Sequence, residues 1–314
     1  MNFDGYYIPG LSNQIITKYV KLTYLYEFEK SATIGTFPLK FYLMEKQPTN
    51  ILILGNGFDL NFGLKTGYCD FVKSEQFLKL KNFGSELANY LHEQNDLNNW
   101  IDIENELTAC SHNQLGNLEK EYDDVCAALM NYLEQIHYPK DQWPTARAYD
   151  LFEAYQNKEF LVIDFNYTPT SRLLLQHFGK SDQQIDDILI KIHGSTAARN
   201  IIFGVEDSAK IKRQHVFLKK SFNKNFSPRD FKKMFQGAES LAFFGHSLGI
   251  TDFMYFKDFF SNATFSNKRK DLIIFHYGKQ GYLDLHMQLD DMTNNRLSAL
   301  KQSNTVTFID SVLG

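Results

Sequence analysis

The chain of 314 residues carries 43% apolar and 22% charged residues and a formal net charge of −4, the composition of a globular protein with ample length for a buried core. That acidic balance excludes a surface that tracks nucleic acid throughout, and leaves room only for local basic patches. No run approaches the ~20 apolar residues of a membrane span, and the first residues lack the basic start and apolar stretch of a signal peptide. Cys69, Cys110 and Cys126 form neither a C-x-x-C pair nor an even set, so free thiols in a reducing cytoplasm are expected.

Residues 1–43 show scattered Tyr and Lys without a sustained period, and Met44 offers a natural start just before the first strand. They read as an extension of doubtful status, followed by a single α/β domain over 44–314. Ile51 to Leu54 is an unbroken apolar run, the pattern of a strand buried on both faces of a parallel sheet. It ends at Gly55-Asn56-Gly57, where Phe58 and Leu60 open a helical pattern. A buried strand, a glycine turn and a helix start can set backbone N–H groups beside a phosphate. The dinucleotide fingerprint is incomplete, because Leu60 stands where its third glycine belongs and no clear acidic partner follows about 20 residues on.

A mostly helical insertion follows over about 75–157. Leu115, Leu118, Tyr122, Val125, Leu129, Tyr132, Leu133 and Ile136 recur at spacings of three and four, predicting one long amphipathic helix between Asn113 and His137. Strands are then expected at Phe160–Phe165, Ile188–Ile192, Ile201–Val205, Leu241–Phe244, Leu272–His276 and Thr305–Ile309, with helices between most of them. This alternation predicts a doubly wound, mainly parallel sheet of Rossmann-like kind with a helical insertion covering the site.

Chemically capable residues gather at the ends of four of these strands. The ends read Gly55-Asn56-Gly57-Phe58-Asp59, Phe165-Asn166-Tyr167-Thr168, Ile192-His193-Gly194-Ser195 and Gly245-His246-Ser247-Leu248, with Asp252 one turn further. Open α/β sheets bind ligands outside the carboxyl ends of their strands, so one crevice is expected there. Each residue also has a plainer role open to it. Asn166 or, better placed, Thr168 can cap the helix near Pro169, His193 can be a satisfied core histidine, and Asp252 can be helix N-terminal charge. Gly245-His246-Ser247-Leu248-Gly249 also spells G-x-S-x-G, so an α/β hydrolase with Asp271 or Asp284 and His276 or His286 stays open. His193, His246, Asp59 and Asp252 follow no metal-ligand spacing, and no metal is expected. Between Lys210 and Phe235, basic residues interleave with Phe217, Phe222, Phe226, Phe231 and Phe235. The preferred reading is helix with Phe inward and Lys outward, with a single-stranded nucleic-acid surface as the other.

Taken as a set, these motifs resemble the bacteriophage abortive-infection AbiH family. The resemblance runs from Gly55-Asn56-Gly57-Phe58-Asp59-Leu60 with Gly63, Leu64, Thr66, Tyr68, Asp70 and Phe71, through Trp100-Ile101-Asp102-Ile103-Glu104 and Asp164-Phe165-Asn166-Tyr167-Thr168. It continues with Ile192-His193-Gly194, Phe203-Gly204-Val205 and Gly245-His246-Ser247-Leu248 with Asp252, and leaves 1–43 uncovered. More distantly, the order of glycine turn, Asn, His-Gly and Gly-x-Ser is similar to sirtuin-like NAD-consuming antiphage domains, although the four-cysteine zinc module and the Ala-Gly opening are missing. That similarity implies a sirtuin-like fold and NAD as substrate, with Asn166 and His193 acting on the nicotinamide–ribose bond. On that reading Gly55, Asn56 and Gly57 would cradle the pyrophosphate, Asp59 or Asp252 would fix a ribose, and Phe58 would belong to the nucleotide site. Tyr167, Gly194, Gly245, His246 and Ser247 would complete the nucleotide site. The expected partners are the nucleotide and a phage-derived trigger, with no membrane, with nucleic acid not favoured and a homo-oligomer allowed. A non-catalytic nucleotide or phage-product sensor, and a nuclease using the Lys210–Lys233 face, are the alternatives.

Overall fold

The structure is a computed structural model that describes residues 48–98, 102–113, 116–227, 231–249, 252–266 and 268–312. The expectation for 1–43 falls outside the described residues. Six strands, β1 (Asn50–Leu54), β2 (Phe160–Asp164), β3 (Leu189–Lys191), β4 (Ser240–Phe244), β5 (Asp271–His276) and β6 (Thr305–Asp310), form a sheet in the order β3-β2-β1-β4-β5-β6. Every pairing in it is parallel, so the fold is the doubly wound α/β sheet expected from the sequence.

The unbroken apolar run of β1 serves two cores at once. Successive side chains of a strand point to opposite faces. Ile51 and Ile53 therefore join one cluster with Phe243, Phe256 and Phe260, while Leu52 and Leu54 join another with Phe58, Phe152 and Phe244. Ile51, Leu52, Ile53 and Leu54 are all fully buried. Each such burial stabilises the fold by about 1.5–3 kcal/mol.

One face of the sheet is covered by α1 (Asn56–Asn61), α7 (Arg147–Tyr155), α8 (Thr170–His177) and α9 (Asp182–Ile188). The other is covered by α10 (Lys232–Gly237), α11 (Phe253–Ala263), α12 (Gly278–Met292) and α13 (Leu297–Ser303). Between β1 and β2 the chain builds a helical lobe from α2 (Tyr68–Val72), α3 (Glu75–Asn82), α4 (Glu86–Asn98), α5 (Ile103–His112) and α6 (Leu118–Glu134). The lobe has its own core, in which Phe71, Leu87, Leu107 and Leu129 are buried. The long helix α6 starts at Asn117, whose side chain accepts from the Lys120 N–H, a common N-cap device.

Two expectations fail locally. The run Ile201–Val205 is apolar but forms no strand, apart from an isolated bridge between Val205 and Lys219. Its bulk goes to the helical lobe instead: Phe203 stacks on Tyr122, whose hydroxyl donates to the Phe203 carbonyl at 2.5 Å. The basic, Phe-rich stretch is a helix with Phe inward and Lys outward only at its end, in α10, where Phe235 is buried and Lys232 and Lys233 are exposed; nearer Lys220 it is not. It forms short 3₁₀ turns at Arg213–Leu218 and Lys220–Phe222, with Lys220 buried and Phe222 63% exposed. No helix among the described residues is long and apolar enough to cross a membrane.

Candidate active site

A cleft of about 460 Å³ opens at the carboxyl ends of β1, β2 and β4, with residues of the helical lobe forming its far wall. Connections from β1 and β4 leave for opposite sides of the sheet, which makes this the topological switch point where such sheets bind ligands. The two turns at its base lie directly against each other. Gly55 N–H donates to the Phe244 carbonyl at 3.0 Å and Gly57 N–H to the Gly245 carbonyl at 2.9 Å. A Cβ on Gly57 would meet Gly245 Cα at 2.6 Å, and Gly245 holds φ at +64°. These glycines are therefore required by turn-to-turn packing, and the Gly57 N–H expected to face a phosphate is spent on Gly245.

Not every residue expected around a nucleotide reaches the cleft. Gly55, Asn56, Asp59, Asn166, Tyr167, His193, Gly245, His246, Ser247 and Asp252 line it, whereas Gly57, Phe58 and Gly194 do not. Phe58 is a core side chain packed on Phe62, Phe152 and Phe244. Gly194 lies against the Asn200 carbonyl within its own loop.

The β2 end is fixed by Asp164, which accepts from Lys191 Nζ at 2.8 Å, from Ser171 Oγ and from the Asn166 N–H at 2.8 Å. Asn166 then turns its amide nitrogen to the Gly55 carbonyl at 3.1 Å. A carbonyl only accepts, so the amide orientation is determined and Oδ1 is left with no partner among the described residues. Neither Asn166 nor Thr168 caps α8, whose N-cap is Pro169 without a side-chain bond. Thr168 instead donates to Asp59 Oδ2 at 2.6 Å. Burial pushes the Asp59 carboxyl up to about 6, against the lowering hydrogen bond from Thr168, and its Oδ1 has no partner.

Across the cleft, Asp252 is the N-cap of α11 but makes no capping bond with its side chain. Its Oδ1 lies 3.0 Å from His193 Nε2 and its Oδ2 3.5 Å from His246 Nε2. His246 Nδ1 accepts the Leu248 N–H at 3.0 Å, so its proton sits on Nε2, facing Asp252. Burial raises the Asp252 carboxyl, but the Lys220 charge and the two histidine hydrogen bonds hold it well below the usual range. Burial, then the Lys220 charge, keeps His193 below its ordinary range. A neutral His193 that donates from Nε2 to an ionised Asp252 carries its lone pair on Nδ1, which has no partner among the described residues. This pair can take a proton from a water or a hydroxyl.

Sequence reasoning missed the group behind this pair. Lys220 Nζ lies 2.9 Å from Glu104, 3.5 Å from Glu206 and 3.7 Å from Asp252, and all four side chains are largely buried. Tyr68 OH donates to the other oxygen of Glu104 at 3.3 Å. Burial pushes both Glu104 and Glu206 up to about 7, with Lys220 opposing. Glu104 stood in a recognised motif, so its signal was available. Lys220 is one of several lysines in a basic run, and nothing local distinguishes the buried one.

Ser247 makes no nucleophile elbow. Its Oγ accepts the Gly249 N–H at 3.2 Å and meets no ring nitrogen among the described residues, and the positive φ falls at Leu248. The family model for bacteriophage abortive infection AbiH matches residues 51–162 and 153–275, which include every strand end of the cleft. The chain belongs to the AbiH family. Membership assigns it a role in bacteriophage abortive infection, and the AbiH match takes in Glu104 and Lys220 as well as the expected residues. No curated protein and no solved structure matches the chain.

Proposed function

We propose that this AbiH chain acts in abortive infection by binding NAD or a related nucleotide in the switch-point cleft and hydrolysing its nicotinamide–ribose bond. The observation that carries the reading is His193, held through Nε2 by Asp252, with its Nδ1 unpaired at a cleft that Asn166 also lines. In the step, a water oxygen bonds to the ribose anomeric carbon and the carbon–nitrogen bond breaks. The bonding pair leaves with the ring, which departs as neutral nicotinamide, and the water proton passes to His193 Nδ1. Asn166 Oδ1 is an acceptor for that water or for a ribose hydroxyl, contributing orientation. Asp252 favours the imidazolium that forms. The cleft volume lies within the range that holds ligands of this kind.

Purified full-length protein, incubated with NAD and extract of phage-infected cells, is expected to release nicotinamide, and His193→Ala to release none. Release that survives His193→Ala would overturn the role of His193. A sensing role has one feature of its own in favour: Lys220 links Glu104 of the helical lobe to Asp252 at the sheet, so occupancy can be felt by the lobe.

A further inference from the structure

Three carboxylates gather on one lysine at the deep end of the cleft, so the group keeps net negative charge even where burial leaves Glu104 and Glu206 partly protonated at neutral pH. Among the described residues that line the cleft, Lys220 is the single lysine or arginine, whereas Asp102, Glu104 and Asp252 all line it. Its charge is already met by Glu104 at 2.9 Å, Glu206 at 3.5 Å and Asp252 at 3.7 Å. Nothing in that group is left to attract an anion.

An independent observation gives the same sign. Two polar side chains that line the cleft are more than nine-tenths buried and keep one atom unpaired, Asn166 (6% exposed) at Oδ1 and His193 (5% exposed) at Nδ1. Both orphaned atoms are acceptors, the negative ends of their groups. These acceptors open onto the cleft with no protein donor among the described residues, so a ligand that brings donors or positive charge gains there. Tyr68 and Tyr167 also line this end, and aromatic rings favour cations.

We propose that the deep end of the cleft selects the oxidised, positively charged nicotinamide of a dinucleotide over the uncharged dihydronicotinamide, through Glu104 and the carboxylates gathered on Lys220. This rests on the nucleotide reading above. The two forms share their pyrophosphate, adenosine and carboxamide and differ chiefly in the charge of one ring, so comparing them isolates the electrostatic term. During cleavage the same positive charge moves from ring to ribose, so the carboxylates favour the transition state as well.

The test is a fluorescence titration of the full chain with NADH, followed by displacement with NAD. NAD is expected to bind on the order of tenfold more tightly, with Glu104→Gln narrowing the ratio severalfold. Glutamine keeps one acceptor oxygen for Lys220 and turns an amide NH2, which the Tyr68 oxygen can accept from, to the other side, while removing the charge. Equal binding of the two forms, or tighter binding of NADH, overturns the selection while leaving a nucleotide site standing. Binding of neither form to the folded chain overturns the nucleotide reading and the selection with it. The comparison on the wild-type chain holds even if the variant does not fold.

Discussion

Lys220 is the residue on which the site turns, because it answers carboxylates from the helical lobe, from a connecting loop and from the start of α11. Removing one partner of a buried ionic cluster leaves uncompensated charge, so Lys220→Met is expected to cost on the order of 3–5 kcal/mol. The same change takes away a positive charge that opposes the imidazolium of His193. The His193 titration followed by NMR should therefore move to higher pH in Lys220→Met, and an unmoved midpoint would contradict the coupling. Asp59 makes a separate pH prediction. Its folded value, about 6, lies above the ordinary 3.8, so the folded chain keeps a proton that the unfolded chain has lost. Stability from this group is complete below about 3.8 and falls as pH rises through 6, by about 3 kcal/mol in all. Asp59→Asn keeps an acceptor for Thr168 without the charge, so its stability advantage in urea denaturation should grow from pH 4 to pH 7. Parallel curves for variant and wild type would contradict this.

At the level of elements, the cleft depends on two turns that touch through glycine. Gly245→Ala would put a Cβ 2.2 Å from the Phe58 nitrogen at a positive φ. A loss on the order of 3 kcal/mol is expected in chemical denaturation, and a change under 0.5 kcal/mol would show that the turns can separate freely. The strands were legible because burial on both faces leaves an unbroken apolar run, as in Ile51–Leu54 and Leu241–Phe244. Ile201–Val205 has the same local look, but a strand also needs a free sheet edge, and its bulk is taken by Tyr122 on α6. The stretch around Lys220 misled for the opposite reason. Lysine near phenylalanine usually means a solvated face, and only the long-range convergence of Glu104, Glu206 and Asp252 makes it an interior residue.

For the molecule as a whole, the parallel α/β class followed from the alternation of strands and helices, whereas the order β3-β2-β1-β4-β5-β6 did not. Order depends on which way each crossover runs, and no residue pattern within a strand records that. The convergence of Asn166, His193, His246 and Asp252 was legible as strand ends, yet their pairing was not. The sequence leaves Asp252 equally readable as helix-terminal charge, and its bond to His193 spans 59 residues of chain. This cleft is expected to consume NAD during infection. Mass spectrometry of NAD, nicotinamide and ADP-ribose in phage-infected bacteria, carrying wild-type protein or His193→Ala, tests it most directly. NAD is expected to collapse with the wild type alone, with nicotinamide and ADP-ribose rising together. Unchanged NAD in infected cells that the wild-type protein still protects would contradict it.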